Sequence, residues 1–275
     1  MSDFTAIGQL VTEARTLLNS IKGGAIRAMQ TQFDALKQTF VTDTQRALTN
    51  FQSSSNAKIA QQDQALRNAV APILDKVTVL ALTKNQTMDV SSGSIPDGFM
   101  VNSGVSMTLL DRIESAPYNR SGAQLQILKD IKSGVKLDFP DFNIREQNHF
   151  FRSFNVFRVS WDFPESFDGS EWLVFPSFCG GNAINNWHTP ISGSGCDVAL
   201  VKLESGTSYG GFAVGAKEGR WCFTHQKRES TSFGSYIHPH PIATSRQGSM
   251  LVALPVTASG YIDHPHKLFA LPELG

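Results

Sequence analysis

The chain has no excess of charge of either sign. Twenty-four Lys and Arg residues balance 24 Asp and Glu, which excludes the basic face by which nucleic-acid binders hold phosphates. Long apolar runs are missing too, so no segment is expected to span a membrane. Asp3 and Glu13 flank weakly apolar sequence at the N-terminus, with no positive leader ahead of an apolar core, and no secretion signal is expected. Cysteine is scarce. Cys179, Cys196 and Cys222 are odd in number and match no zinc spacing. They read as free thiols of a protein assembled in reducing cytoplasm. Cys179 with His188 is the one loose suggestion of a nucleophile and its base.

Large rings are absent from the beginning of the chain. The first tyrosine is Tyr118 and the first tryptophan Trp161, while Trp172, Trp187 and Trp221 follow later with all three cysteines. A thin helical shaft cannot shelter such rings, whereas a compact β-rich head can. Glycine and proline are absent from Ala25 to Ala71, so nothing there interrupts a helix.

Apolar residues in this first part recur at alternating steps of three and four. Ile7, Leu10, Ala14, Leu17 and Ile21 form one run. Ile26, Met29, Phe33, Leu36 and Phe40, then Ala47, form a second, and Leu66, Val70, Ile73, Val77 and Leu80 a third. A 3.5-residue repeat keeps one narrow seam facing a partner helix, and copies of the same helix are expected to bury it. The alternative is a long helix folded back as a hairpin at Gly23-Gly24. The spacing predicts an α+β protein, an elongated homotrimer with an N-terminal coiled-coil stalk and a C-terminal antiparallel, sandwich-like β head. Residues 1–24 form an attachment segment, bounded by a kink or loop at Gly23-Gly24. Residues 25–84 form the stalk, about 70 Å over Ala25–Ala71, with a loosened point between Gln52 and Lys58 and a kink or helix restart at Pro72. Residues 85–150 form a connector and 151–275 the head.

Within the connector, Phe99-Met100-Val101 reads as a strand, and Met107–Ser115 and Ala123–Ser133 as helices. Beyond Phe150 the pattern is strand and turn: Phe154–Trp161, Glu171–Phe178, Asp197–Glu204, Tyr209–Ala216, Gly219–His225 and Met250–Val256. These short segments are rich in β-branched and aromatic residues, and Lys217-Glu218-Gly219 is expected to turn a hairpin.

Four of the seven histidines stand in two identical triplets, His238-Pro239-His240 and His264-Pro265-His266. In extended chain, residues two apart project from one face, and proline favours that geometry in the residue before it. Three chains around an axis would bring six imidazoles to one point, an octahedral cage suited to iron, nickel or cobalt. The competing reading is an exposed turn stiffened by proline. Glu165, Asp168 and Glu171 could be imagined as a glycosidase pair, but nothing in the sequence fixes their separation, and a solvated loop is the better reading. Trp187, in a polar loop with Asn185 and Asn186, is the tryptophan expected to be exposed and to meet a receptor. The other three are expected to be buried.

An amphipathic N-terminal segment ending in Lys22-Gly23-Gly24-Ala25, a heptad shaft, a Gly-rich β head and His-x-His triplets near the C-terminus together resemble a bacteriophage tail fibre or receptor-binding protein. The resemblance implies a homotrimer in the virion tail, assembled in the host cytoplasm. It would be joined to other tail or baseplate proteins through its N-terminus and meet a host surface glycan or protein through its tip. It also implies axial metal at His238, His240, His264 and His266. A connector, collar or decoration fibre without a receptor is the second possibility, and a polysaccharide depolymerase a more remote one.

Overall fold

The computed structural model of the chain describes residues 2–74, 79–176, 189–191, 193–229, 232–233, 236–269 and 271. They divide into two compact units, Met1–Lys76 and Val77–Gly275.

The first unit is one helix, α1 (Ser2–Leu74). It runs through Gly23 and Gly24, so neither the expected break nor the hairpin alternative is present, and residues 1–24 are not a separate element. Glycine costs about 1 kcal/mol each against alanine, yet it keeps the N–H that proline lacks, and the ladder of i to i−4 bonds closes across it. The loosened point expected between Gln52 and Lys58 is helical as well. Threonine side chains are absorbed by bonding backward. Thr12, Thr16, Thr31, Thr39, Thr42 and Thr49 each donate to the carbonyl four residues earlier. No restart occurs at Pro72, which lies within α1.

Of the last residues of the predicted seam, only Leu80 can be placed off α1. The side chains of Val70 and Ile73 and the whole of Val77 lie outside the described residues. Leu80 belongs to the second unit instead: its carbonyl accepts from Ser259 N–H at 2.9 Å, beside a bridge between Ala81 and Ala258. A residue tied down by backbone bonds to a sheet cannot also serve a helical seam.

Among the described residues the second unit holds twelve strands and one α-helix. In chain order these are β1 (Met100–Val101), β2 (Val105–Ile113), α2 (Gly122–Lys136), β3 (Phe154–Asp162), β4 (Glu171–Trp172), β5 (Val174–Phe175) and β6 (Thr189–Pro190). Then follow β7 (Ser194–Ser205), β8 (Ser208–Tyr209), β9 (Trp221–Glu229), β10 (Tyr236–Ile237), β11 (Ile242–Ala243) and β12 (Gln247–Ser259). The fold is α+β. Five long strands form one antiparallel sheet in the order β2-β3-β12-β7-β9.

Strict alternation sends the residues of this sheet to two cores. Phe154 and Val156 of β3 and Val198 and Leu200 of β7 face α2, which contributes Leu128, Ile131 and Val135. Phe157, Val159, Ala199 and Val201 face the opposite way, toward Leu173, Val174, Phe212 and Ala243. Sheet against short strands is thus found on one face only, and a helix takes the other in place of the second sheet expected of a sandwich. Within β12 the alternation slips. Leu251 and Ala253 face α2, and so do Leu254 and Val256. The cause is a β-bulge between Ala253 and Val256, where Leu254 takes φ 54° in the left-handed region.

Residues 85–150 are no mere connector, because β2 and α2 are built into this sheet and its cover. Met107–Ser115, expected to be helical, lies mostly in β2 at the sheet's edge, paired with β3 from Val105↔Trp161 to Ile113↔Phe154. The helical spacing of Leu109, Leu110 and Ile113 misled because two of the three are exposed and mark no core face. Glu171–Phe178 likewise splits between β4 and β5, in different sheets. Tyr209–Ala216 is chiefly a 3-10 turn at Gly211–Ala213. The hairpin at Lys217-Glu218-Gly219 is present, closed by a bridge from Lys217 to Arg220.

Helix α2 begins with a capping box, in which Ser121 Oγ accepts from Gln124 N–H and Gln124 Oε1 accepts from Ser121 N–H. At its far end Gly134 lets it touch β9: a Cβ there would stand 2.5 Å from the carbonyl oxygen of Trp221. Gly134→Ala is therefore destabilising despite alanine's better helix propensity. The expected loss is about 1–3 kcal/mol, read as a fall of several degrees in melting temperature.

Candidate functional site

The two histidine triplets have unlike surroundings. His264-Pro265-His266 is not extended but opens a 3-10 turn at Pro265–Lys267, with His264 as its cap. The turn still brings the imidazoles together, 4.5 Å between ring centroids. Phe139 stands edge-on to His264 at 5.3 Å, and Phe142 lies 5.4 Å from His266. Packing of those two phenylalanines carries Asp141 to the histidines, where its Oδ1 lies 3.1 Å from His264 Nε2. That contact holds the Asp141 carboxyl below the usual carboxylate range.

Asp141, His264 and His266 each offer a ligand atom within 4.8 Å of the others. Two imidazoles and a carboxylate suit a divalent transition ion with its remaining positions open to water. A single chain thus supplies three ligands of two kinds, where the sequence suggested two imidazoles per chain in a sixfold cage. In the cluster itself His264 Nδ1 accepts from His266 N–H at 3.2 Å and His266 Nε2 from Asn143 N–H at 3.0 Å. A metal would displace such bonds. Beside His266 opens an apolar cavity of about 480 Å³, walled by Phe142, Phe150, Phe154, Leu254 and Phe269. Arg120 secures its rim by donating to the carbonyls of Glu114, Ser115, Glu146 and Asn148.

His238-Pro239-His240 packs toward the other face of the sheet and gathers no third metal-ligating side chain among the described residues. Phe212 N–H donates to Pro239 O at 3.1 Å. Gly211 makes this approach possible, since a Cβ there would lie 2.1 Å from the same oxygen. The His238 and His240 rings are 5.3 Å apart, and Phe175 lies 4.1 Å from His240. They border a cleft of about 460 Å³ with Tyr209, Gln226, Arg228 and Tyr236.

The cleft rests on a buried ion pair. Arg228 Nε donates to Asp197 Oδ2 at 2.9 Å, and Thr257 Oγ1 donates to Asp197 Oδ1 at 2.8 Å. Burial pushes the Asp197 carboxyl up, opposed by the Arg228 guanidinium. His240 Nδ1, Gln226 Oε1 and Ser208 Oγ are buried with no hydrogen-bond partner among the described residues. Each such atom costs about 1–3 kcal/mol. Burial, then the neighbouring His238 and Arg228, depresses His240 to about 4.

The other sequence expectations have mixed outcomes. Trp187, Asn185 and Asn186 lie outside the described residues, as do Cys179 and His188. Trp161 and Trp221 are buried, and Trp172 is half-buried. Cys196 and Cys222 are free and buried. Burial pushes the Cys196 thiol up to about 11, which keeps it protonated and poorly nucleophilic. Glu165 and Glu171 line one cleft with Asp162, but Glu171 is bound to Asn102 Nδ2 at 2.9 Å. Asp141, Gln226 and Arg228 were not singled out from the sequence. Asp141 lies 123 residues from His264, with no local pattern to join them. No protein-family model and no curated protein matches the chain. No helix among the described residues is long and apolar enough to cross a membrane.

Two measurements probe these clusters. Titration with nickel(II) is expected to load one ion per chain, and Asp141→Ala to weaken uptake at least about tenfold. Two ions per three chains, indifferent to Asp141, would point back to imidazole cages. His240 is neutral in the fold and titrates near 6.5 when unfolded. Its share of stability is full above pH 6.5 and is lost as pH falls toward 4. His240→Gln is expected to reduce the drop in melting temperature between pH 7.5 and pH 4.5.

Proposed function

We propose that the chain is a virion attachment protein, a homotrimer joined along α1 that presents its β-rich unit to the host surface. One observation carries this reading. Ile26, Met29, Phe33, Leu36 and Phe40, at steps of three and four, are 62–70% exposed, and Leu66 is 63% exposed. At about 1.5 Å per residue α1 extends about 110 Å, and a stripe of that kind on a lone helix calls for sister helices. Three copies is the state implied by the resemblance to phage tail fibres, with the leading end of α1 joined to other tail or baseplate proteins.

Attachment by a trimer multiplies weak single-site contacts, because the second and third sites bind at high effective concentration. The role is adhesive, with a glycan or protein of the host surface as partner and no bond cut. A metal on Asp141, His264 and His266 would be structural.

Phe33→Asp and Leu66→Asp place a carboxylate in the seam. Light scattering is expected to give three copies for the parent and one for each variant, and the variants to lose adsorption to host cells. An unchanged mass would refute the seam. Purified protein is expected to leave surface polysaccharide at its original size.

A further inference from the structure

We infer that the cleft between β8, β9 and the His238-Pro239-His240 segment is the glycan subsite of this protein and takes an uncharged sugar ring. The inference deepens the attachment reading and rests on it, but its ground is the chemistry of the cleft.

Polar atoms without partners among the described residues belong to its lining. Gln226 Oε1, an acceptor, and His240 Nδ1 are both buried and both belong to residues bordering the cleft. Sugar hydroxyls donate and accept at once, so neighbouring hydroxyls on one ring can serve an amide oxygen and an imidazole nitrogen together. Purely apolar ligands would leave these atoms unserved.

The walls supply the complementary surface. Tyr209 and Tyr236 are each 53% exposed, and His238 lies 5.4 Å from Tyr236. Flat rings of this kind offer an apolar face to the C–H face of a pyranose, while their polar edges stay wet. The volume, about 460 Å³, is that of an ordinary small-molecule site.

Charge decides which sugars. Arg228 is the cation at the cleft, and its guanidinium is paired with buried Asp197 at 2.9 Å and donates to His238 O at 3.3 Å. Its charge is thereby balanced from below, and an acidic sugar would find no net positive charge to meet it. Neutral His240 adds none.

Gln226→Leu and Tyr236→Ala in the full chain test this on a printed array of neutral, sialylated and uronate-bearing oligosaccharides, with light scattering and melting temperature as controls. The parent is expected to bind neutral glycans. Both variants are expected to bind them at least tenfold more weakly at unchanged oligomer mass. Gln226→Leu should melt no lower than the parent, because it removes a buried acceptor that lacks a donor. A structural glutamine would instead lower the melting point when replaced. Neutral-glycan binding intact in both variants, preference for acidic sugars, or no binding to any neutral glycan would each overturn the inference. Cell adsorption by the parent separates the two readings. If it persists while the array result fails, the cleft assignment falls and the attachment reading stands.

Discussion

A narrow apolar stripe at steps of three and four along a long exposed helix is the constraint that matters most. A stripe this narrow cannot be folded into a core without burying the polar flanks beside it, and it cannot be left in water without cost. Under the proposed trimer, sister helices would cover it, since a 3.5-residue repeat keeps each run facing a partner.

In the second unit a different constraint rules. Its central sheet has both faces covered over β3, β12 and β7, so these strands send alternate residues to different cores. β12 meets this with a defect. The bulge at Leu254 resets the alternation in mid-strand, letting Leu254, Val256 and Ala258 join the core beneath α2 after Met250 and Val252 have served the other. The left-handed backbone at Leu254 is held by burial on that face, and the same side chain walls the cavity beside His266. Gly134 makes a comparable adjustment on the helix, trading propensity for close approach to β9.

Identical sequences have unlike chemistry here because burial and neighbours differ. His264 and His266 share a turn that meets the carboxylate of distant Asp141, which makes them candidate ligands. His240 is pressed against Phe175 and backed by an ion pair, which keeps it neutral and leaves its nitrogen without a partner. The competing reading of proline-stiffened turns is correct for the backbone of the second triplet, yet that turn assembles three ligand atoms.

Local interactions were legible in the sequence. The long helix could be read from its repeat and its freedom from proline, because helical bonds join residues four apart. The strands β3, β7, β9 and β12 could be read from alternation and turn residues, and α2 from its spacing, whereas the turn at Gly211–Ala213 passed for a strand. Contacts between distant residues could not be read. Edge strand β2 imitated a helix because water, not a core, receives several of its apolar side chains. Leu80 fitted the heptad count but was claimed by Ser259. Asp141 reached His264 only through the packing of Phe139 and Phe142, and Gln226 met His240 only because β9 and the segment before β11 flank one cleft. The sequence by itself determined the helical first unit, α2 and the strands β3, β7, β9 and β12, since these follow from neighbours along the chain. Tertiary structure decided which side chains share a site, because that depends on long-range packing no local pattern records.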